Sequence, residues 1–226
     1  MTKPLAFTTG PESWRVLLAD PDKHWKTGFS ARTLAHCWEA AEGFPPEVNA
    51  VLAHCTAPEL SSIEPVLAIP EFKVPLPGGK RASQNDIFVL AKTAAGPVTI
   101  MVEGKVNESF GPTLGEWRAE ASEGKETRLA FLLELLALRD PPPEVRYQLL
   151  HRSASALIAA EQYRAAAAVM LVHSFSAARA GYADYEAFIS LFGARAAYGE
   201  VTPLGLRGGV PFFAAWVPGD QSFLSR

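Results

Sequence analysis

Nine residues, Val98 to Val106, constrain this chain more than any other stretch. In an extended strand their two-residue period puts Val98, Ile100 and Val102 on one face and Met101, Glu103 and Lys105 on the other. A strand this apolar belongs in a core, and burying an unpaired charge there is costly, so Glu103 and Lys105 call for a partner or a ligand. Just upstream, Asp86 to Lys92 reads as a second buried strand through Ile87-Phe88-Val89-Leu90-Ala91, and Ala94-Ala95-Gly96-Pro97 turns the chain between them. If that turn closes an antiparallel hairpin, Asp86 at the start of one strand lies opposite the end of the other, beside Glu103 and Lys105.

The remaining pattern fills in a layered α/β structure. Residues 1–28 show no clear period and read as an irregular extension lying on the core. Ser30 is placed to cap a helix from Ala31 to Ala41, and Pro45-Pro46 opens another that runs to about Cys55. Pro65 to Val74, with Pro70 inside it, predicts a first strand that is bent or at an edge. Beyond Gly111-Pro112 the period turns helical around Thr113–Ala121, again over Lys125–Leu138, and over Glu144–Tyr163, where Gln148 and Arg152 stand four apart and can reach one target. Ala166–Phe175 predicts a buried fourth strand, Tyr182–Phe192 a helix, and residues 201–216 a C-terminal hairpin turning at Gly208-Gly209. With 226 residues, 48% of them hydrophobic, and no linker in view, a single domain with a mixed sheet covered by helices is expected.

Charge and cysteine content narrow the function classes. A net charge of -3 gives no global attraction to polyanions, so nucleic-acid binding would have to come from local patches. Two cysteines and a start without a basic and then apolar leader predict a reducing, cytoplasmic setting. The longest apolar runs, such as Ala165 to Val172, fall far below the ~20 residues needed to span a bilayer.

An aspartate and a glutamate that converge beside a water-filled pocket suffice to hold magnesium, which keeps several of its waters. Lys105, on the same face as Glu103, would stabilise charge developing at an attacked phosphate. Asp86, sixteen residues, then Glu103-Gly104-Lys105 resembles the signature of the PD-(D/E)XK nuclease superfamily, and the order of helix, three strands, helix and strand from about residue 31 to 175 is similar to that superfamily's restriction-endonuclease-like core. The residue before Asp86 is Asn85 rather than proline. The resemblance implies a metal-dependent phosphodiester hydrolase acting on DNA, with Mg or Mn as cofactor. It implies Asp86 and Glu103 as metal ligands and Lys105 as the catalytic lysine. A further glutamate from the preceding helices is often near the metal in that superfamily, a part open to Glu39 or Glu47. Polar residues of a later helix commonly join, which points to Gln148 as catalytic and Arg152 as substrate-binding. A homodimer is compatible with such an enzyme, although no pattern marks its interface.

Other motifs compete for attention. Lys80 and Arg81 follow Gly78-Gly79 in a stretch free of acids between Glu71 and Asp86, and could contact phosphates; the full phosphate-loop pattern is absent. Leu-Ala-His-Cys occurs at residues 34–37 and again at 52–55, but adjacent His-Cys pairs point to different helix faces and lack zinc spacing. His173 reads as a core histidine. Two alternatives remain beside the nuclease: an inactive nuclease-fold module that binds nucleic acid or serves assembly, its charges merely structural, and an unrelated protein binding a small anion at Lys80 and Arg81. The last predicts that Asp86 and Glu103 lie far apart.

Overall fold

The computed structural model describes residues 4–226; the part of the expected extension at 1–3 lies outside the described residues. Six strands form one open mixed sheet: β1 (Glu64–Val74), β2 (Ser83–Thr93), β3 (Gly96–Lys105), β4 (Ala167–Ser174), β5 (Val201–Arg207) and β6 (Val210–Pro218), in the order β1-β2-β3-β4-β6-β5. The β1-β2-β3 meander is antiparallel, β4 and β6 run parallel to β3, and β5 closes the C-terminal edge as the antiparallel arm of a hairpin with β6. The turn of that hairpin is made by Gly208 and Gly209 at φ 57° and 81°, where a side chain would be strained.

Two apolar layers sandwich the sheet. On one face Ile87, Val89, Ile100, Val102, Val169 and Leu171 pack against Leu34 and Trp38 of α2 (Ser30–Ala40), Val48 and Leu52 of α3 (Pro46–Ala53), and Trp14 of a 3-10 turn spanning Pro11–Leu17. On the other, Phe88, Met101, Met170, Val172 and Trp216 meet α5 (Glu123–Leu136), α6 (Tyr147–Tyr163) and α7 (Tyr182–Ser190). The short helices α1 (Pro21–His24) and α4 (Leu114–Arg118) flank these layers. β4 is buried at all eight positions, as its unbroken apolar run requires of a central strand covered on both faces.

Most expected elements lie within a few residues of their predicted ends, with informative exceptions. Ser30 is the first residue of α2 rather than its cap: Phe29 holds the cap position with no side-chain bond, and the Ser30 N–H is met instead by Glu108 Oε1 at 2.7 Å, from the loop after β3. α6 begins at Tyr147, because Arg146 is extended and bridges to Thr113. β1 is an edge strand with an irregularity between Pro65 and Leu67 and a second at Glu71, whose φ is 53°.

Phe88 is fully buried and stacked between Phe72 (4.6 Å, 26°) and Tyr163 (5.3 Å, 24°), tying β1 and β2 to the end of α6. We expect Phe88→Ala to lower the unfolding free energy by roughly 3–5 kcal/mol, read as a drop in the urea midpoint with little change in slope.

Candidate active site

Register decides what the site contains. Ile87 pairs with Val102, so continuation of the ladder puts Asp86 opposite Glu103. Pro70 pairs with Ile87 and Phe72 with Asn85, which brackets Glu71 opposite Asp86. Three carboxylates therefore stand in one row across β1, β2 and β3. The row opens on a cleft of about 420 Å³ whose walls include Glu71, Gln84, Asp86, Glu103, Lys105, Phe110, Gln148 and Arg152.

Glu103 and Lys105 follow the alternation of Met101 and face α6, where Gln148 and Arg152, one helical turn apart, point back at them. Glu103 is 3% and Lys105 4% exposed. Lys105 Nζ donates to Glu103 Oε1 (2.7 Å) and to Gln148 Oε1 (3.1 Å), while Gln148 Nε2 donates to the same Glu103 oxygen (2.8 Å). Arg152 Nε donates to Glu103 Oε2 at 2.5 Å, its Nη1 reaches Ser83 Oγ at 3.3 Å, and its Nη2 lies 4.0 Å from Asp86 Oδ1. Ser83 in turn bonds His151 Nδ1 at 2.8 Å. Phe110 places its ring centroid 4.7 Å from Lys105 Nζ, completing the ammonium's surroundings with a π face.

Gly104, between the two charged residues, faces α2. A Cβ there would lie 3.0 Å from Leu34 Cδ2, so the glycine lets α2 seat against the strand. Its N–H donates to Asp86 Oδ2 at 2.8 Å, fixing a carboxylate that remains 23% exposed.

The charges do not balance locally. Burial alone would raise the Glu103 carboxyl, but Arg152 and Lys105 outweigh it and hold the group down at about 2. Asp86 is pushed up to about 7 by burial and by Glu103, with Arg152 and Lys105 only partly offsetting. Burial and Asp86 push Glu71 up to about 8, although Gln84 Nε2 donates to its Oε2 at 2.6 Å. Burial, then Arg152, drives His151 well below its ordinary value, so it is neutral.

The structure thus gathers Asp86, Glu103, Lys105, Gln148 and Arg152, and adds Glu71, Ser83 and His151, which the sequence reading did not assign to the site. Glu71 had a signal: it is an acid within an apolar strand run, the same kind of interruption that marks Glu103. Several candidates lie elsewhere. Lys80 and Arg81 are exposed in the loop between β1 and β2, outside the cleft wall. Arg128 of α5 holds that loop away by donating to the carbonyls of Pro77 (2.9 Å) and Arg81 (2.8 Å). Glu39 accepts from Trp14 Nε1 at 2.9 Å beside the N-terminal turn, near the far end of α2, which brings only its first residues, Ser30 and Ala31, to the cleft. Glu47, on α3, is outside the cleft wall too, so neither glutamate joins Asp86 and Glu103.

Glu47 belongs to a separate cluster with Cys37 and His173, whose ligand atoms all lie within 4.8 Å of one another. Its chemistry is that of a satisfied carboxylate. The indole of Trp38 can only donate, and it donates to His173 Nδ1 at 3.2 Å, so the histidine proton sits on Nε2 and is given to Glu47 Oε1 at 3.1 Å. The same oxygen receives the Cys37 thiol (3.4 Å) and the Asp220 N–H (3.3 Å). The nitrogen a metal would need is already protonated, and burial with Glu47 pushes the Cys37 thiol up, away from thiolate. Cys55 is remote from this group, on a cavity with His54 and Phe213, so the two Leu-Ala-His-Cys repeats do not converge.

Fold and cleft define an α/β protein with a buried, charge-rich site near the strand ends of an open mixed sheet. The chain belongs to the family described as a domain of unknown function (DUF6946), whose family model matches residues 7–221. No curated protein and no solved structure matches it. Among the described residues no helix is long and apolar enough to cross a membrane.

Two outcomes follow from the pairing and titration. Glu103→Gln removes the charge shared by two buried cations and should destabilise the fold by about 3–5 kcal/mol in chemical denaturation. For pH, the raised folded values of Asp86 and Glu71 give stability that is full below their ordinary values of 3.8 and 4.5 and lost as pH rises through about 7 to 8. Glu103 acts in the opposite sense, its contribution disappearing as pH falls from 4.5 toward about 2. The metal-free protein should therefore lose unfolding free energy between pH 5 and 8, and Asp86→Asn should flatten that decline.

Proposed function

We propose that the cleft is the active site of a metal-dependent phosphodiester hydrolase of restriction-endonuclease-like design, acting on a nucleic acid, with DNA as the substrate class. The observation that carries this reading is the convergence of Asp86, Glu103 and Lys105 from two paired strands with Gln148 and Arg152 from α6. The order of helices α2 and α3, the strands β1-β2-β3, the helices α4 to α6 and then β4 supports it.

The donor set fits a hard divalent cation. Glu71, Asp86 and Glu103 supply only carboxylate oxygens, and the protons that Asp86 and Glu71 keep up to about 7 and about 8 are ones a divalent cation would displace. Magnesium or manganese would be held by Asp86 and Glu103, with Glu71 next in the row, and would supply Lewis-acid polarisation of a phosphoryl oxygen and an acidified water.

The chain's own groups do the rest. Gly104 N–H and the hairpin register fix Asp86. Gln148 holds both Lys105 and Glu103, so the ammonium sits at a set point on the cleft wall where it can stabilise negative charge developing on an attacked phosphate. Phe110 covers that charge with its ring face, the centroid 4.7 Å from Lys105 Nζ.

One observation favours a second reading. Glu103 already accepts from Lys105, Gln148 and Arg152, so the site could be an internally neutralised network within a nucleic-acid-binding or assembly module.

Cleavage of plasmid and single-stranded DNA in Mg²⁺ or Mn²⁺ separates the two. Wild-type protein should cut, with Asp86→Asn, Glu103→Gln and Lys105→Ala each slower by about 10²–10³-fold, the scale for losing one electrostatic contact to the transition state. DNA binding with no cleavage in either metal would favour the binding module.

A further inference from the structure

We infer that Arg152 is the resident counter-ion of the cation site, and that a divalent cation binds by displacing its guanidinium from between Glu103 and Asp86. This inference rests on the cation-site reading of the same cleft.

Glu103 has two oxygens with different duties. Oε1 takes Lys105 and Gln148, which leaves Oε2 as the oxygen available to a metal, and Arg152 Nε is on it at 2.5 Å. The same guanidinium reaches toward the other expected ligand, its Nη2 being 4.0 Å from Asp86 Oδ1. Arg152 is only 7% exposed and cannot shed its proton, so its charge must be met where it lies. It is thus the charge that holds the two carboxylates together when no metal is bound.

A divalent cation on the same two carboxylates would stand beside that guanidinium, and like charges so close in a buried site repel strongly. Lys105 has no comparable conflict, since Gln148 and Phe110 hold it on the far oxygen. Arg152 has somewhere to go. Its Nη1 contact with Ser83 is long at 3.3 Å, its stem is flexible, and the cleft it lines opens to solvent. Once released into the cleft, the guanidinium is free to pair with an anionic ligand such as a phosphate, which joins the counter-ion role to substrate binding.

The consequence is opposite in sign to that of an ordinary ligand residue: removing Arg152 should tighten metal binding. The test is calorimetric titration of Mn²⁺ into the full chain, its Arg152→Met variant and its Arg152→Lys variant. We expect Arg152→Met to bind at least about tenfold tighter than wild type, and Arg152→Lys, which keeps the charge, to stay near wild type.

A measurement on the unmutated chain guards against misfolding. The Arg152 Nε–H resonance, identified by its absence in Arg152→Lys, should move as Mg²⁺ is added to wild type and saturate with the heat. Equal affinities together with an unmoved resonance at saturating Mg²⁺ would overturn the inference while leaving the cation site intact. Binding by Arg152→Met but not by wild type would uphold it in its strongest form, with arginine holding the site shut. No binding by any of the three would remove the inference and the cation-site reading together.

Discussion

The Glu103 carboxylate is the charge around which this cleft is organised. It sits on a central strand, almost without solvent, and survives as an anion only because Lys105, Gln148 and Arg152 all donate to it. The three donors come from places set by two constraints. Lys105 arrives by the two-residue period of β3, and Gln148 and Arg152 by the four-residue spacing on α6. α6 must therefore lie over the end of β3, and the apolar residues Leu149, Leu150 and Leu157 hold it there against the same sheet face as Met101 and Met170. The electrostatics and the hydrophobic packing specify one arrangement.

Local patterns carried most of this. Alternation in Val98–Val106 identified the face that holds Glu103 and Lys105, and the turn at residues 94–97 gave the hairpin that brings Asp86 opposite them. The helical spacing of Gln148 and Arg152 marked them as a pair before any target was visible. These are short-range features, within a strand, a hairpin or a helix, and backbone geometry alone determines them.

What the sequence could not show depended on long-range placement. Glu39 and Glu47 were reasonable candidates on helices before the sheet, yet α2 brings only Ser30 and Ala31 to the cleft and α3 packs into the other apolar layer. Nothing in the local pattern of those helices says which face they will choose. Lys80 and Arg81 are led away by Arg128, more than forty residues downstream in α5. Glu71 is the reverse case: its acid in an apolar run was visible, but its meaning came only from the β1–β2 register, across an irregular edge strand where counting residues is unreliable. His173 matches the core-histidine expectation, held by Trp38 and Glu47.

The two polar clusters of this protein make an instructive contrast, because one is closed and the other is not. On the α2–α3 face a single anion, Glu47, meets its donors in His173, Cys37 and the Asp220 amide, and the carboxyl is held low at about 2 despite burial. On the α6 face only Glu103 is treated so. Asp86 and Glu71 stand in line with it, where like charges directly opposite one another are destabilising; Asp86 has only the Arg152 guanidinium at 4.0 Å and Glu71 the Gln84 amide. Packing does not require this, since apolar residues at those row positions would join the Phe88 and Met101 layer without repulsion. A fold that keeps such a row near neutral pH gives up stability that any cation binding only the folded state would restore, in proportion to the logarithm of its concentration over its dissociation constant. The unbalanced row is what separates this cleft physically from the closed cluster behind the sheet.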